Sequence, residues 1–207
     1  MELNRPFAAI TPTLDGDALL VLARTDRPMT APAIAVAARS GSEAGMRNAL
    51  RRLSAQGLVI RERTGHHDSY ALNRRHLLAD AIEMIAQASV ELRARLVEEV
   101  SGWGLTPTFV ALFGSAAYGA MRPDSDVDLL VVRPDTVETD NPAWADQLIG
   151  LCESGRAWTG NDVRVLELGE TEMRTAVATG EQVIDDIVAR GYPLTGQLPA
   201  RSVVASG

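Results

Sequence analysis

Asp126 and Asp128 stand at the head of an apolar run, Asp126-Val127-Asp128-Leu129-Leu130-Val131-Val132. Such a run reads as a strand. Residues i and i+2 of a strand point to one face, so the two carboxylates lie side by side while Val127 and Leu129 face a core. Two like charges about 4 Å apart repel by roughly 4 kcal/mol at an effective dielectric near 20. A pair placed this way either retains a proton or holds a cation. Hard divalent ions such as Mg²⁺ take one or two carboxylates and leave positions open for phosphate oxygens. Upstream, the apolar run Phe109-Val110-Ala111-Leu112-Phe113 ends at Gly114-Ser115, with Gly119 five residues beyond Gly114. A glycine turn into a short helix offers an anion free backbone N–H groups and, at Ser115, a hydroxyl. Arg122 and Ser125 lie in the connecting loop, the first a source of positive charge and the second a turn residue before the aspartates.

Gly114-Ser115, ten intervening residues, then Asp126-Val127-Asp128, all between two hydrophobic strands, resembles the signature of the nucleotidyltransferase superfamily that includes DNA polymerase beta, in its minimal form. The resemblance implies an α/β (α+β) domain with a small mixed sheet flanked by helices. It implies Mg²⁺ on Asp126 and Asp128, and the triphosphate of ATP or another NTP on Gly114 and Ser115, with Arg122 as a further nucleotide-binding candidate. The implied reaction is attack of an acceptor hydroxyl on the α-phosphate, which transfers a nucleoside monophosphate and releases pyrophosphate. The family's site has a third acid on the later strand, here 161–166, and matching the apolar positions puts Arg164 at that place. Asp162 shares a face with Arg164, about 6–7 Å away along the strand, and is the candidate substitute for the catalytic acid. An arginine there can salt-bridge the aspartate pair and displace a metal, or contact a phosphate.

The elements that position this site follow from the pattern. Pro142 opens a helix over 142–154, a strand follows over 162–168, and helices are expected over 170–178 and 181–189, with an edge strand at 191–194. Residues 197–207 read as a disordered tail.

The first part of the chain has a different character. The net charge is −7, yet residues 1–76 carry 11 Arg against 7 acids, and the remainder 9 Arg against 20 acids; there is no lysine. A basic front on an acidic body makes nucleic acid a candidate partner for the front. A helix is expected from Leu14, a second capped by Thr30 with Pro32 in its first turn, and a third capped by Ser42 and ended by Gly57. A strand over 58–63, a polar turn over 64–69 and a returning strand over 70–72 complete the region. Three helices followed by a hairpin resembles a winged helix-turn-helix domain, placed at 14–73, and the stretch 46–60 is similar to its recognition helix and first wing strand. The resemblance implies double-stranded DNA as partner, with Arg47, Asn48, Arg51 and Arg52 on the groove-facing side of the third helix and Arg63 on the wing. His66-His67, without cysteines or spaced acids nearby, reads as a solvated turn.

Residues 74–104 read as one linker helix, with Leu78, Ile82, Ile85, Leu92 and Leu96 on a stripe that either packs within the chain or forms a homodimer seam. The nucleotidyltransferase domain is placed at 105–196. A single cysteine, Cys152, fits a reducing, cytoplasmic setting. No stretch is long and apolar enough to span a membrane, so no membrane partner is expected.

Two functions follow. One is a Mg²⁺-dependent transferase acting on a protein hydroxyl, as in antitoxin-like minimal nucleotidyltransferases that modify a partner toxin, or on a small molecule. The other is a winged-helix regulator whose nucleotidyltransferase domain senses nucleotide or is inactive.

Overall fold

A computed structural model describes residues 1–197. The expected tail at 197–207 lies, from residue 198 on, outside the described residues. The chain is a mixed α/β protein of two compact units, one spanning Glu2–Ser89 and the other running from Val90 and including Met1.

In the first unit a 3₁₀ turn, Pro6–Ala9, precedes α1 (Leu14–Ala23), β1 (Met29–Thr30), α2 (Ala31–Ala38), α3 (Glu43–Ala55), the hairpin of β2 (Val59–Thr64) and β3 (His67–Leu72), and α4 (Ala79–Ala86). The strands form an antiparallel sheet in the order β1-β3-β2. Ser42 Oγ accepts the Gly45 N–H at 3.1 Å and starts α3, the capping role its position predicts. Met46, Ala49, Leu50 and Leu53 are buried, and all but Ala49 belong to a core shared with Leu22, Ile34, Val59, Tyr70 and Leu72.

Two expectations are corrected here. The polar turn over 64–69 shrinks to Gly65-His66, because His67, Asp68 and Ser69 pair with Thr64, Arg63 and Glu62 across the hairpin. Gly65 adopts φ +63°, as a tight two-residue connection requires. The single linker helix over 74–104 is also absent. Residues 74–78 form turns, α4 ends at Ala86, and α5 (Ala88–Ser101) begins beyond Gln87, whose N–H is drawn to both Glu83 O and Met84 O. The stripe breaks because its halves serve different units: Ile82 and Ala86 complete the first core, while Leu92, Leu96 and Val100 belong to the second unit. Ile82, Leu92 and Leu96 are buried within the chain, so they form no dimer seam.

In the second unit β4 (Phe109–Phe113), α6 (Gly114–Tyr118), β5 (Val127–Arg133), α7 (Pro142–Thr159), β6 (Val163–Gly169), α8 (Glu170–Thr179), α9 (Gln182–Arg190) and β7 (Tyr192–Gly196) follow α5. The sheet order is β6-β5-β4-β7, with β5 and β6 parallel and the other neighbours antiparallel. Strands buried on both faces explain the unbroken apolar runs of β4 and β5. One face carries Phe109, Ala111, Leu130 and Val132 against Met173, Ala176, Ile184 and Ile187 of α8 and α9. Val110, Leu112, Leu129 and Val131 are buried on the other. There α7 lies close to β6: a Cβ on Gly155 would come within 2.6 Å of Val163 Cγ2. Trp144 of α7 also donates its indole N–H to Glu167 of β6 at 2.9 Å.

Candidate functional site

The end of β4, the start of β5 and the start of β6 meet at one end of the sheet. Phe113 pairs with Asp128 across β4 and β5, and Asp128 stands opposite Arg164 in the parallel register of β5 and β6. Alternation then puts Asp126, Asp128 and Arg164 on one face, while Val127 and Leu129 are buried on the other.

Gly114 turns the chain from β4 into α6 with φ +64°, a conformation that side chains other than glycine's strain to adopt. A Cβ there would collide with the Asp128 carboxylate. The turn thus brings a bare backbone against a carboxylate, a cradle in which phosphate oxygens and a cation can sit together. Burial, followed by the neighbouring charge of Asp126, pushes the Asp128 carboxyl above the ordinary range, and Arg164 partly offsets the shift. Arg164 also pairs with Asp126, its Nε 2.8 Å from Asp126 Oδ2.

The loop before the aspartates is held from both ends. Ser125 Oγ accepts the Arg122 N–H at 2.9 Å, the turn role its position suggests. Buried Asn161 donates its side-chain amide to Ser125 O at 2.7 Å and Pro123 O at 3.3 Å, and Val127 N–H donates to Asp162 O at 2.8 Å. Nothing in the sequence marks Asn161 for this task, because its partners lie some 36 residues away. α6 is tied in turn to α9: the Tyr118 hydroxyl donates to Asp186 Oδ2 at 2.7 Å, and the Arg190 guanidinium lies over the Tyr118 ring.

The structure brings Gly114, Asp126 and Asp128 together, with Ser115 in the first turn of α6. Arg122 is exposed, and its backbone N–H is held by Ser125 in the loop before the aspartates. Asp162 lies just before β6, so the expected face shared with Arg164 is not formed by strand alternation; its exposed side chain faces Arg156 of α7 at 3.6 Å, and the charges acting on Asp128 are those of Asp126 and Arg164. Among the described residues no group of three or more His, Cys, Asp and Glu is arranged to hold a metal. The two aspartates still suit a hard divalent cation: their hard oxygen donors share one face beside a turn without a side chain, and phosphate oxygens or water can complete the ligand set. Cys152 is half-buried, and burial raises its thiol above the usual value, as for an inert packing residue.

In the first unit, Arg47, Asn48, Arg51 and Arg52 are all exposed on the outer side of α3. Arg47 pairs with Glu43 at 2.7 Å, and Arg52 is held by both oxygens of Asp15, at 3.2 and 2.6 Å. Among the described residues Arg51 has no ion-pair partner. Arg63 on the hairpin donates to Gly65 O at 3.3 Å, and Arg61 pairs with Asp68 at 2.6 Å. A cavity of about 270 Å³ is lined by Thr30, Glu43, Arg47, His66, His67 and Tyr70, among others.

Residues 91–188 match the nucleotidyltransferase domain family. No curated protein matches the chain. Among solved structures, a chain of a toxin–antitoxin complex with AMP-PNP is similar at 20% identity and a TM-score of 0.35, covering 51% of this chain and 73% of that one. A mutant of the toxin–antitoxin pair MntA–HpeT is similar at 16% identity, with the same TM-score of 0.35 and the same coverage, 51% and 73%. Among the described residues no helix is long and apolar enough to cross a membrane.

Proposed function

We propose that the nucleotidyltransferase domain transfers a nucleoside monophosphate from ATP or another NTP to a hydroxyl of a protein or small-molecule acceptor, and that the first unit binds double-stranded DNA. The observation that carries the first part is the approach of the Gly114 turn to Asp128, with Asp126 on the same strand face. Gly114 and Ser115 bind the triphosphate through backbone N–H groups and the Ser115 hydroxyl. Asp126 and Asp128 hold a divalent cation, Mg²⁺ by preference, which supplies Lewis-acid neutralisation of phosphate charge when bound. Asn161 and Ser125 fix the loop that presents the aspartates, so the carboxylates are placed before substrate arrives. The acceptor hydroxyl gives its proton to solvent as its oxygen bonds to the α-phosphorus, the bond from that phosphorus to the bridging oxygen breaks, and pyrophosphate leaves.

The DNA-binding part is supported by the order of elements in the first unit, three helices with a short strand between the first two and a closing hairpin, and by the exposed arginines of α3. That arrangement fits a winged helix-turn-helix domain with α3 as the groove-reading helix.

A second function is favoured by the contact of Arg164 with Asp126: a winged-helix regulator whose second unit binds nucleotide without transferring it. Calorimetric titration of ATP and GTP in Mg²⁺ into the native protein and into Asp126→Ala/Asp128→Ala tests the site. Binding by the native protein and its loss in the variant is the expected result. No binding by the folded native protein would leave a regulator with a degenerate nucleotide site.

A further inference from the structure

The strand positions around the carboxylates show what stands where a third acid would help ionise the acceptor. Asp128 is opposite Arg164 in the β5–β6 register, and Arg164 Nε lies 2.8 Å from Asp126 Oδ2. Among the described residues it is the one cation in an ion pair with either aspartate. Its side chain is 74% exposed, so most of it is open to solvent while Nε pairs with the carboxylate.

We propose that Arg164 takes the place of a second cation, so that the site binds one divalent ion per nucleotide and the guanidinium meets the phosphates itself. The proposal rests on the nucleotide-site reading above.

Sites that use two metals for phosphoryl transfer hold the ions about 3.5–4 Å apart. Keeping both there takes donors beyond one carboxylate pair. Here that donor is missing: Asp162, just before β6, faces Arg156, and Arg164 stands at the position opposite Asp128. One oxygen of Asp126 is engaged by the guanidinium. Its other oxygen and both oxygens of Asp128 remain, which is enough for one hard cation whose other ligands are phosphate oxygens and water.

The chemistry of the side chain fits this place. Arginine keeps its charge at any working pH and has five N–H donors in a planar fork. The guanidinium forms an ion pair with Asp126 through its Nε side, and the outer N–H groups form the fork that pairs with two oxygens of a phosphate. A lysine would place a single point charge without that geometry.

The test counts metal ions. Mn²⁺ bound per chain is measured by electron paramagnetic resonance at saturating α,β-methylene-ATP, which cannot transfer its nucleotide, on the full-length native protein and on Arg164→Asp. The substitution is at an exposed position, and circular dichroism checks that the variant is folded. The expected result is one Mn²⁺ per chain in the native protein and two in Arg164→Asp, where the missing carboxylate is supplied. Two ions in the native protein, or one in both proteins, would overturn the proposal while leaving the nucleotide site intact. Analogue binding by Arg164→Asp alone would also overturn it, because Arg164 would then close the site instead of serving it. Failure of both folded proteins to bind the analogue with Mn²⁺ would overturn the nucleotide-site reading itself.

Discussion

Arg164 Nε lies 2.8 Å from Asp126 Oδ2 while standing opposite Asp128 in the strand register, so one guanidinium influences both carboxylates. The Asp128 carboxyl is raised by burial and by Asp126, and Arg164 works against that rise. Replacing Arg164 with Met should therefore move the Asp128 titration to still higher pH. A carbon-detected NMR titration of the Asp128 carboxyl reads this directly, and an unchanged or lower midpoint would separate Arg164 from Asp128.

The raised carboxyl also makes the site a stability cost near neutral pH. The folded state holds the Asp128 proton more tightly than the unfolded chain does, so stability falls as pH rises from the ordinary carboxylate value through Asp128's raised value. Asp128→Asn has no such proton to lose. Urea unfolding should show the variant gaining stability over the native protein across that window, with the gain constant above it and absent well below it. A gain independent of pH would mean that burial of the side chain, rather than its charge, sets the difference.

Gly114 answers to backbone and space at once. Alanine there must hold φ +64° and pushes a methyl group into the Asp128 carboxylate. The left-handed conformation costs a non-glycine residue about 1–2 kcal/mol, and shifting Asp128 disturbs the cradle. We expect Gly114→Ala to lose about that much stability in urea and to bind ATP with Mg²⁺ at least about tenfold more weakly, a difference of ~1.4 kcal/mol. Native affinity in the variant would remove the turn from the nucleotide site.

Glu167 is a structural tie that the strand pattern obscures. Its Oε1 accepts from Arg133 Nε at 2.9 Å and from Trp144 Nε1 at 2.9 Å, joining β5, β6 and α7 through one oxygen. Arg133 is buried and also donates to Val137 O and Thr139 Oγ1. Glu167→Ala leaves a buried cation short of its counter-charge and should cost about 2–3 kcal/mol in urea unfolding. Glu167→Gln keeps an acceptor without the charge and should recover part of the loss. Equal losses in the two variants would assign the effect to the lost charge alone, and no loss in Glu167→Gln would assign it to packing and the retained acceptor.

These ties mark where the sequence stops being informative. Caps, glycine turns and alternation act within a few residues, which is why Ser42, Gly114-Ser115 and the shared face of Asp126 and Asp128 can be read directly. The same alternation puts Arg164 on that face. Asn161 and Glu167 resist such reading because each acts on partners 23 to 38 residues away, and a polar residue at a strand or helix end looks like solvent-facing decoration until the fold supplies its partner. β1 is only two residues long, too short for any period, and exists because Met29 and Thr30 pair with Tyr70 and Ser69. The break at Gln87 is hidden for the opposite reason: the apolar stripe runs on through it, and only the separate cores on either side divide it.

The pairing state of the α3 arginines gives the DNA-binding reading an internal order. Arg51 is exposed and has no ion-pair partner among the described residues, Arg47 shares its charge with Glu43 one turn away, and Arg52 is held on two oxygens by Asp15. A phosphate must compete with the carboxylates for Arg47 and Arg52 but not for Arg51. Removing one arginine–phosphate pair flattens the dependence of log K on log salt by about 0.9. Fluorescence anisotropy with a duplex between 50 and 200 mM salt, a range that resolves such slopes, should therefore show the largest drop in slope for Arg51→Ala, a smaller one for Arg47→Ala and the smallest for Arg52→Ala. Glu43→Gln, which releases Arg47, should strengthen binding. Equal slopes in all four variants and the native protein would take α3 out of any DNA interface.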